Sequence, residues 1–182
     1  QPLERRLPAE IAVADMHAEA EDGEIVRTHV PRWEDEGGLC VSVEDRIGSF
    51  EQATCALDAL VMSMHLRTDF PEDVLREADA CRPADLADDP TREDMRYLLS
   101  FTIDGRDAKD FDDSVSLEQL ENGNVLLGVH IADVGHYVKP GTALDREAFA
   151  RGTSVYLPGR VLPMLPEQLC NGVCSLRPNE DK

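Results

Sequence analysis

Hydrophobic and polar residues alternate in short runs through the first third of the chain. Glu24 to Val30 alternates in this way after a Glu-Asp-Gly turn, which is typical of a half-buried strand. Leu39 to Val43 predicts a second short strand, after a charged loop that ends in Gly-Gly. Strands of this length and spacing favour a small β-barrel, complete or partial.

Helical spacing replaces this alternation in the middle of the chain. Apolar residues are dense from Ala53 to Leu66, where periodicity alone leaves a buried helix and a buried strand both open. A clearer helix follows Pro71, because proline and acidic residues occupy its first turn. The proline- and aspartate-rich stretch from Cys81 to Arg92 then predicts a linker between two domains.

The second half predicts strands first and then a helix and a loop. A strand over Tyr97 to Ile103 ends at Asp104, and a hairpin is expected around Asn122-Gly123, because this dipeptide suits a tight turn. The remaining predicted elements are the two hairpin strands Ser114 to Leu120 and Val125 to Ala132, a helix capped by Thr142 that runs through Asp145 to Arg151 and stops at Gly152, and a proline-rich loop over Pro158 to Pro166.

Length and composition indicate a globular protein without a membrane segment. The chain has 182 residues, of which 42% are hydrophobic and 30% charged. No apolar run reaches the roughly 20 residues that cross a bilayer, and the first ten residues lack the apolar core of a signal peptide. The chain does not start with Met and shows no terminating element, so we expect both ends to be internal to a longer protein.

Five scattered cysteines without a secretion signal indicate reduced thiols and a cytoplasmic protein. Cys170 and Cys174 lie four residues apart, but no second Cys/His pair stands near them, so packing as small hydrophobic residues is favoured over a zinc site. The net charge of −19 taken alone argues against binding nucleic acid, because phosphate recognition usually needs basic patches.

Part of the acidic excess is concentrated in one segment, Thr102 to Asp113, which carries five aspartates within ten positions directly after a predicted strand. Packed carboxylates repel one another unless a cation lies among them, and Mg²⁺ prefers such oxygen ligands. A solvated acidic loop is the simple alternative. An EF-hand fits less well, because the glycine and the closing glutamate of that loop are misplaced. Composition alone therefore indicates a possible metal site and nothing more specific.

Three motifs in order over about 80 residues resemble the ribonuclease II/ribonuclease R superfamily, which includes the catalytic exosome subunit. The first is Thr-Ile-Asp-Gly-Arg-Asp-Ala-Lys-Asp-Phe-Asp-Asp, beginning at Thr102. The second begins at Gly128 with Gly-Val-His-Ile-Ala-Asp-Val, which is closer in look to ribonuclease R than to ribonuclease II. The third runs from Arg151 through Val-Tyr-Leu-Pro-Gly to Leu169-Cys-Asn-Gly-Val-Cys-Ser-Leu.

The resemblance implies an α+β chain with three parts. Residues 1–66 are similar, less specifically, to a partial OB-type, cold-shock-like RNA-binding barrel. Residues 67–95 correspond to a connecting helix and linker, and residues 96–182 to the N-terminal part of the RNB catalytic domain. In the family an arginine clamp and a further glutamate lie downstream, so we expect the 182 residues to be inactive by themselves.

The resemblance also implies the site residues. Asp104, Asp110, Asp112 and Asp113 match the four catalytic aspartates of the family, with Asp104, Asp110 and Asp113 expected at Mg²⁺ and Asp112 expected to serve catalysis more than binding. Tyr156 matches the tyrosine that orients the scissile 3′ end of RNA. We interpret Asp107 as solvated, Phe111 as a core plug, and His130 and His136 as structural.

The implied activity is Mg²⁺-dependent, processive 3′→5′ hydrolysis of single-stranded RNA to nucleoside 5′-monophosphates, by a protein that is monomeric at full length. The competing hypotheses are a non-catalytic RNA-binding or regulatory fragment that keeps the metal site, and a catalytically dead relative. The intact aspartate quartet and Tyr156 argue against the dead relative.

Overall fold

A computed structural model describes residues 2, 6–30, 33–34, 38–83 and 90–182, and the chain divides into two compact units, Gln1–Leu66 and Arg67–Lys182. The predicted linker over Cys81 to Arg92 lies partly outside the described residues, as do parts of the charged loop before Leu39 and of the first ten residues. The structure mixes α and β elements, as the sequence predicts.

The described part of the first unit is a four-stranded sheet with one helix against it. Its strands are β1 (Ala12–Met16), β2 (Glu24–His29), β3 (Trp33–Glu34) and β4 (Gly38–Ser49), and β4 pairs in parallel with β1 and antiparallel with β2 and β3. Strand β4 spans 12 residues and extends well past the predicted Leu39 to Val43. Within the described residues this sheet stays open, so the expected partial OB-type barrel is not confirmed there.

Helix α1 (Ala53–Ser63) resolves the ambiguity of the apolar stretch from Ala53 to Leu66. Its buried residues Cys55 and Ala59 pack with Ile25 of β2, and partly buried Ile47 of β4 completes the cluster. The helical pattern prevails here because only one face of the segment finds a sheet to pack on, while Leu60 and Met62 stay exposed.

The second unit contains an antiparallel sheet of β5 (Ser100–Phe101), β6 (Asp113–Gln119) and β7 (Val125–Ile131). The predicted hairpin between β6 and β7 is confirmed, with Gly123 at a φ of +84° and its amide donating to the carbonyl of Leu120 at 3.0 Å. The prediction of a strand over Tyr97 to Ile103 is mostly wrong, because β5 pairs with β6 over two residues only.

The described residues of this unit form three α-helices, α2 (Glu72–Ala80), α3 (Val134–Tyr137) and α4 (Ala143–Arg151). The prediction for α4 is confirmed, since the Thr142 hydroxyl accepts from the amide of Asp145 at 3.2 Å and Gly152 ends the helix. A second cap comes from α2, where the two carboxylate oxygens of Glu77 accept from the amides of Ala143 and Leu144 at 3.1 and 2.9 Å. The core between these helices consists of Val74, Ala78, Ala143, Leu144, Leu165, Leu169 and Cys174.

The chain between α4 and the end of the unit is more ordered than its proline content predicts. The expected loop from Pro158 to Pro166 contains β9 (Arg160–Leu162), which pairs antiparallel with β8 (Val155–Leu157). A short π-helical turn over Leu169–Val173 follows, with Leu169 fully buried. No helix in the described residues is long and apolar enough to span a membrane.

Candidate active site

The aspartate-rich loop is held between β5 and β6. Asp104 follows β5, whereas Asp113 is the first residue of β6 and pairs with Ile131 of β7. Between them the backbone is irregular, with one turn closed by the amide of Ala108 on the carbonyl of Gly105 at 3.0 Å. The sequence therefore places acidic side chains at the end of a sheet, where irregular backbone can aim them toward one another.

Backbone hydrogen bonds tie the end of this loop to two neighbouring segments. The carbonyl of Asp112 accepts from the amide of Ala132, just after β7, at 2.9 Å. The carbonyl of Phe111 accepts from the amide of Leu176 at 2.9 Å. Phe111 is half-buried. The three sequence motifs thus meet in space at the aspartate loop.

The carboxylates of this loop interact electrostatically. Partial burial raises the pKa of Asp112, and repulsion from Asp110, Asp113 and Asp104 raises it further. Asp112 is nevertheless accessible to solvent, so water screens part of this repulsion. The four predicted site aspartates are therefore neighbours in the fold, and the other three repel the ionised form of Asp112.

Tyr156 lies in the middle of β8, paired with Val161 of β9, and its side chain is 65% exposed. Its hydroxyl donates to Oδ2 of Asp110 at 2.6 Å. This hydrogen bond, together with partial burial and the negative charges of Asp110 and Asp112, raises the pKa of Tyr156 to about 12. The phenol is thus a neutral donor at physiological pH, beside an acidic cluster and open to solvent.

The chemistry of this donor set fits a divalent cation. Hard carboxylate oxygens are the ligands that Mg²⁺ prefers, and a cation would relieve the repulsion that raises the pKa of Asp112. Among the described residues, no group of three His, Cys, Asp or Glu side chains converges closely enough to hold an ion as the side chains stand. The carboxylates are close enough to repel one another, and their oxygens would have to come closer together to hold an ion.

The other singled-out residues have structural contacts. Nε2 of His130 lies 2.8 Å from the Ser116 hydroxyl within the sheet. Asp133 caps α3 by accepting from the amide of His136 at 3.1 Å and also accepts from Arg92 Nη2 at 2.5 Å. The His136 ring packs edge-to-face on Tyr137, with centroids 4.9 Å apart, so both histidine side chains contact other protein groups. Asp107 is exposed as expected.

All five cysteines are free thiols. Cys174 belongs to the core of the second unit, and burial raises the pKa of both Cys170 and Cys174 to about 11. Both thiols are therefore protonated at neutral pH and pack as small, unreactive side chains, as the sequence suggested.

Comparison with known proteins places this site in a family. The family model described as the RNB domain matches residues 92–182, half of the chain, and all four aspartates and Tyr156 lie inside the match. The chain belongs to the RNB-domain family, the family of ribonuclease R. Ribonuclease R of Thermotoga maritima is 51% identical over 142 residues, which cover 75% of this chain and 20% of that relative.

Solved structures give the same picture of the fold. Mycoplasma genitalium RNase R in complex with double-stranded RNA superposes with a TM-score of 0.82 at 26% identity, covering 93% of this chain and 31% of that one. Yeast Ssd1, described as a pseudonuclease, superposes with a TM-score of 0.58 at 16% identity over 87% of this chain and shows a shared fold alone. The chain thus spans about a fifth to a third of the length of these ribonuclease R relatives.

One residue near the RNB site went unnoticed in the sequence. Ser175 is fully buried and hydrogen-bonds the backbone of the aspartate loop on both sides of Asp110. The third sequence motif contains this serine, but its distance from Asp110 along the chain hides the contact. Its place in the third motif is the signal that could have indicated a role.

Proposed function

We propose that this chain contributes the metal-binding part of the active site of a Mg²⁺-dependent 3′→5′ exoribonuclease. The enzyme would hydrolyse single-stranded RNA processively and release nucleoside 5′-monophosphates. The observation that carries the proposal is the meeting of four aspartates and the Tyr156 hydroxyl at one edge of the RNB-domain sheet.

Each aspartate would have a role that depends on its position in the loop. Asp104, three residues after β5, and Asp113, at the start of β6, would supply oxygen ligands to Mg²⁺ from opposite ends of the loop. Asp110 would hold the ion or its water while accepting from Tyr156. Partial burial raises the pKa of Asp112 and repulsion from the other three carboxylates raises it further, so a cation among them would favour its ionised form.

A bound divalent cation would supply Lewis-acid chemistry, polarising a phosphoryl oxygen and lowering the pKa of water. The side chains of this chain would orient the end of the RNA and exclude water around it. Tyr156 presents an exposed ring and a protonated hydroxyl, which suits stacking on, or hydrogen bonding to, the terminal nucleotide of a single strand. The concentration of carboxylates would repel the RNA backbone in the absence of the cation, which makes binding at this point depend on the metal.

The first unit, residues 1–66, would bind RNA as part of an OB-type, cold-shock-like barrel. Its open sheet of β1, β4 and β2, with α1 packed against it, is compatible with a partial barrel. Residues 67–95 would connect it to the catalytic part, residues 96–182. Since the chain spans 20% of the Thermotoga maritima relative, we propose that these 182 residues alone do not degrade RNA. A monomeric, cytoplasmic protein is proposed on the same resemblance.

The deciding experiment incubates the full-length protein with 5′-labelled single-stranded RNA, with and without Mg²⁺. We expect Mg²⁺-dependent shortening from the 3′ end without accumulation of intermediate lengths, and release of 5′-mononucleotides. Asp112→Asn should abolish turnover, whereas Asp107→Asn, an exposed aspartate of the same loop outside the quartet, should retain it. Intact RNA with the wild type, or equal turnover by Asp112→Asn, would refute the catalytic role.

A second candidate function is metal-dependent RNA binding without hydrolysis. Yeast Ssd1, described as a pseudonuclease, shares this fold, and a fold by itself does not guarantee turnover, so this function is tested beside the first. The same assay separates the two functions when RNA retention is measured beside cleavage. Binding with no mononucleotide release would support the non-catalytic alternative. Asp104→Asn should shift the Mg²⁺ titration of whichever activity is observed, and unchanged titration curves would contradict the ligand role of Asp104.

A further inference from the structure

The hydroxyl of Ser175 bridges two backbone groups of the aspartate loop. Ser175 follows the π-helical turn Leu169–Val173 and has no exposed surface. Its Oγ accepts from the amide of Phe111 at 3.0 Å and donates to the carbonyl of Lys109 at 2.8 Å. The residue between those two backbone groups is Asp110.

A hydroxyl suits this position because it can donate and accept at the same time. The loop around Asp110 lies in neither a helix nor a strand, so regular secondary structure does not fix Lys109 and Phe111. Without the hydroxyl, the partly buried amide of Phe111 and the carbonyl of Lys109 would lose this partner, and the backbone would have to shift to find another.

The next residue strengthens the same attachment. The amide of Leu176 donates to the carbonyl of Phe111 at 2.9 Å, so both polar groups of the Phe111 backbone bond to consecutive residues, Ser175 and Leu176. The segment is itself anchored, because Leu169 and Cys174 belong to the core of the unit. Asp110 is therefore connected through two short hydrogen bonds to one of the most buried parts of the molecule.

We propose that Ser175 is a positioning residue that fixes the backbone on both sides of Asp110, and so sets the direction of its carboxylate toward Mg²⁺ and Tyr156. Ser175 is fully buried and acts only through the loop. This role rests on the proposed function for its effect on turnover, while its effect on metal binding can be measured independently.

The test compares three variants of the full-length protein, Ser175→Ala, Ser175→Thr and Ser116→Ala. Ser116 is the matched control, since it is a buried serine of the same unit whose hydroxyl bonds to His130 rather than to the aspartate loop. Calorimetric titration with Mn²⁺ measures metal binding, and steady-state hydrolysis of single-stranded RNA gives kcat and KM separately. Melting temperatures are recorded for all variants, and assays are run well below the lowest.

We expect Ser175→Ala to lower kcat on the order of 100-fold, because a displacement of about 1 Å at a reacting centre has an effect of that size. Mn²⁺ binding should weaken and KM for RNA should stay unchanged. Ser175→Thr keeps the hydroxyl but crowds a fully buried position, so it should melt lower than Ser175→Ala and yet retain more activity. Ser116→Ala should bind Mn²⁺ and hydrolyse RNA as the wild type does.

Two outcomes would overturn the positioning role. One is that Ser175→Ala binds Mn²⁺ with the affinity of the wild type and has an unchanged kcat. The other is a kcat that simply follows the melting temperature across all three variants, which would indicate a general effect of stability. A wild-type protein that binds Mn²⁺ but leaves RNA intact would refute the proposed function alone, and the Mn²⁺ titration of Ser175→Ala would still decide the positioning role.

Discussion

Arg151 joins the end of α4 to the segments on either side of it, and its removal should destabilise this part of the second unit strongly. The side chain is 4% exposed. Its Nε donates to Oε1 of Glu147 at 2.9 Å, its guanidinium stacks over the ring of Phe70 at 3.6 Å, and its other nitrogens donate to the carbonyls of Arg67, Asp69 and Pro163. Pro163 directly follows β9, the partner strand of the one that carries Tyr156.

The magnitude follows from what Arg151→Met leaves behind. Breaking a buried ion pair by deleting one partner costs about 3–5 kcal/mol, since the remaining charge stays buried. Glu147, whose side chain is 7% exposed, keeps a second partner in Arg67, at 2.7 Å from Nη1 to Oε2. That remaining pair is half-exposed on the arginine side and recovers only part of the loss. We therefore expect a net cost of about 2–4 kcal/mol.

Native-state hydrogen exchange of the full-length protein is the suitable assay, because a multidomain protein need not unfold in one step. Amides of α4 should open with a free energy about 2–4 kcal/mol lower in Arg151→Met than in the wild type. Arg146→Met on the same helix is the control. Arg146 is exposed and gives up one hydrogen bond, from Nη1 to the carbonyl of Gly141 at 2.6 Å, so its loss should change the opening free energy by no more than about 1 kcal/mol. Equal effects of the two substitutions would refute the reasoning, as would the absence of coupling between Arg151→Met and Glu147→Gln.

Three further predictions concern the site and its support. Because burial and repulsion raise the pKa of Asp112, the ionised side chain destabilises the folded state. The stability of the metal-free protein should therefore rise as the pH falls through the raised pKa toward the ordinary value of 3.8. Asp112→Asn should remove that rise, which thermal melts at a series of pH values can check. Tyr156→Phe removes the donor to Asp110 and should lower the rate constant of hydrolysis about 10-fold in a single-turnover assay, and an unchanged rate constant would contradict its orienting role. Glu77→Ala removes a two-bond cap from α4 and should cost about 1–2 kcal/mol in exchange of that helix, whereas Glu72→Ala at the exposed start of α2 should not affect α4.

The helix α4 and the hairpin of β6 and β7 could be predicted from the sequence because short-range rules define them. Thr142 and Gly152 mark the two ends of α4, and Asn122-Gly123 marks the turn of the hairpin, all through contacts within a few residues. The predictions that failed involve contacts between distant segments. Strand β5 consists of the two residues that pair with Val115 and Ser116 of β6, and β9 forms in a proline-rich stretch because β8 lies beside it.

The sequence by itself determined the elements whose signals are local and the identity of the acidic residues, because spacing along the chain is enough to match a motif. Only the tertiary structure decided that Asp112 lies within electrostatic range of Asp104, Asp110 and Asp113 together. It also decided that Tyr156, 46 residues beyond Asp110, donates a hydrogen bond to it. The hydrogen bonds from Ser175 to the backbone on both sides of Asp110 are likewise visible only in the tertiary structure. Hydrogen bonds and electrostatic repulsion act over a few ångströms in space, and folding alone brings residues so far apart in sequence within that range.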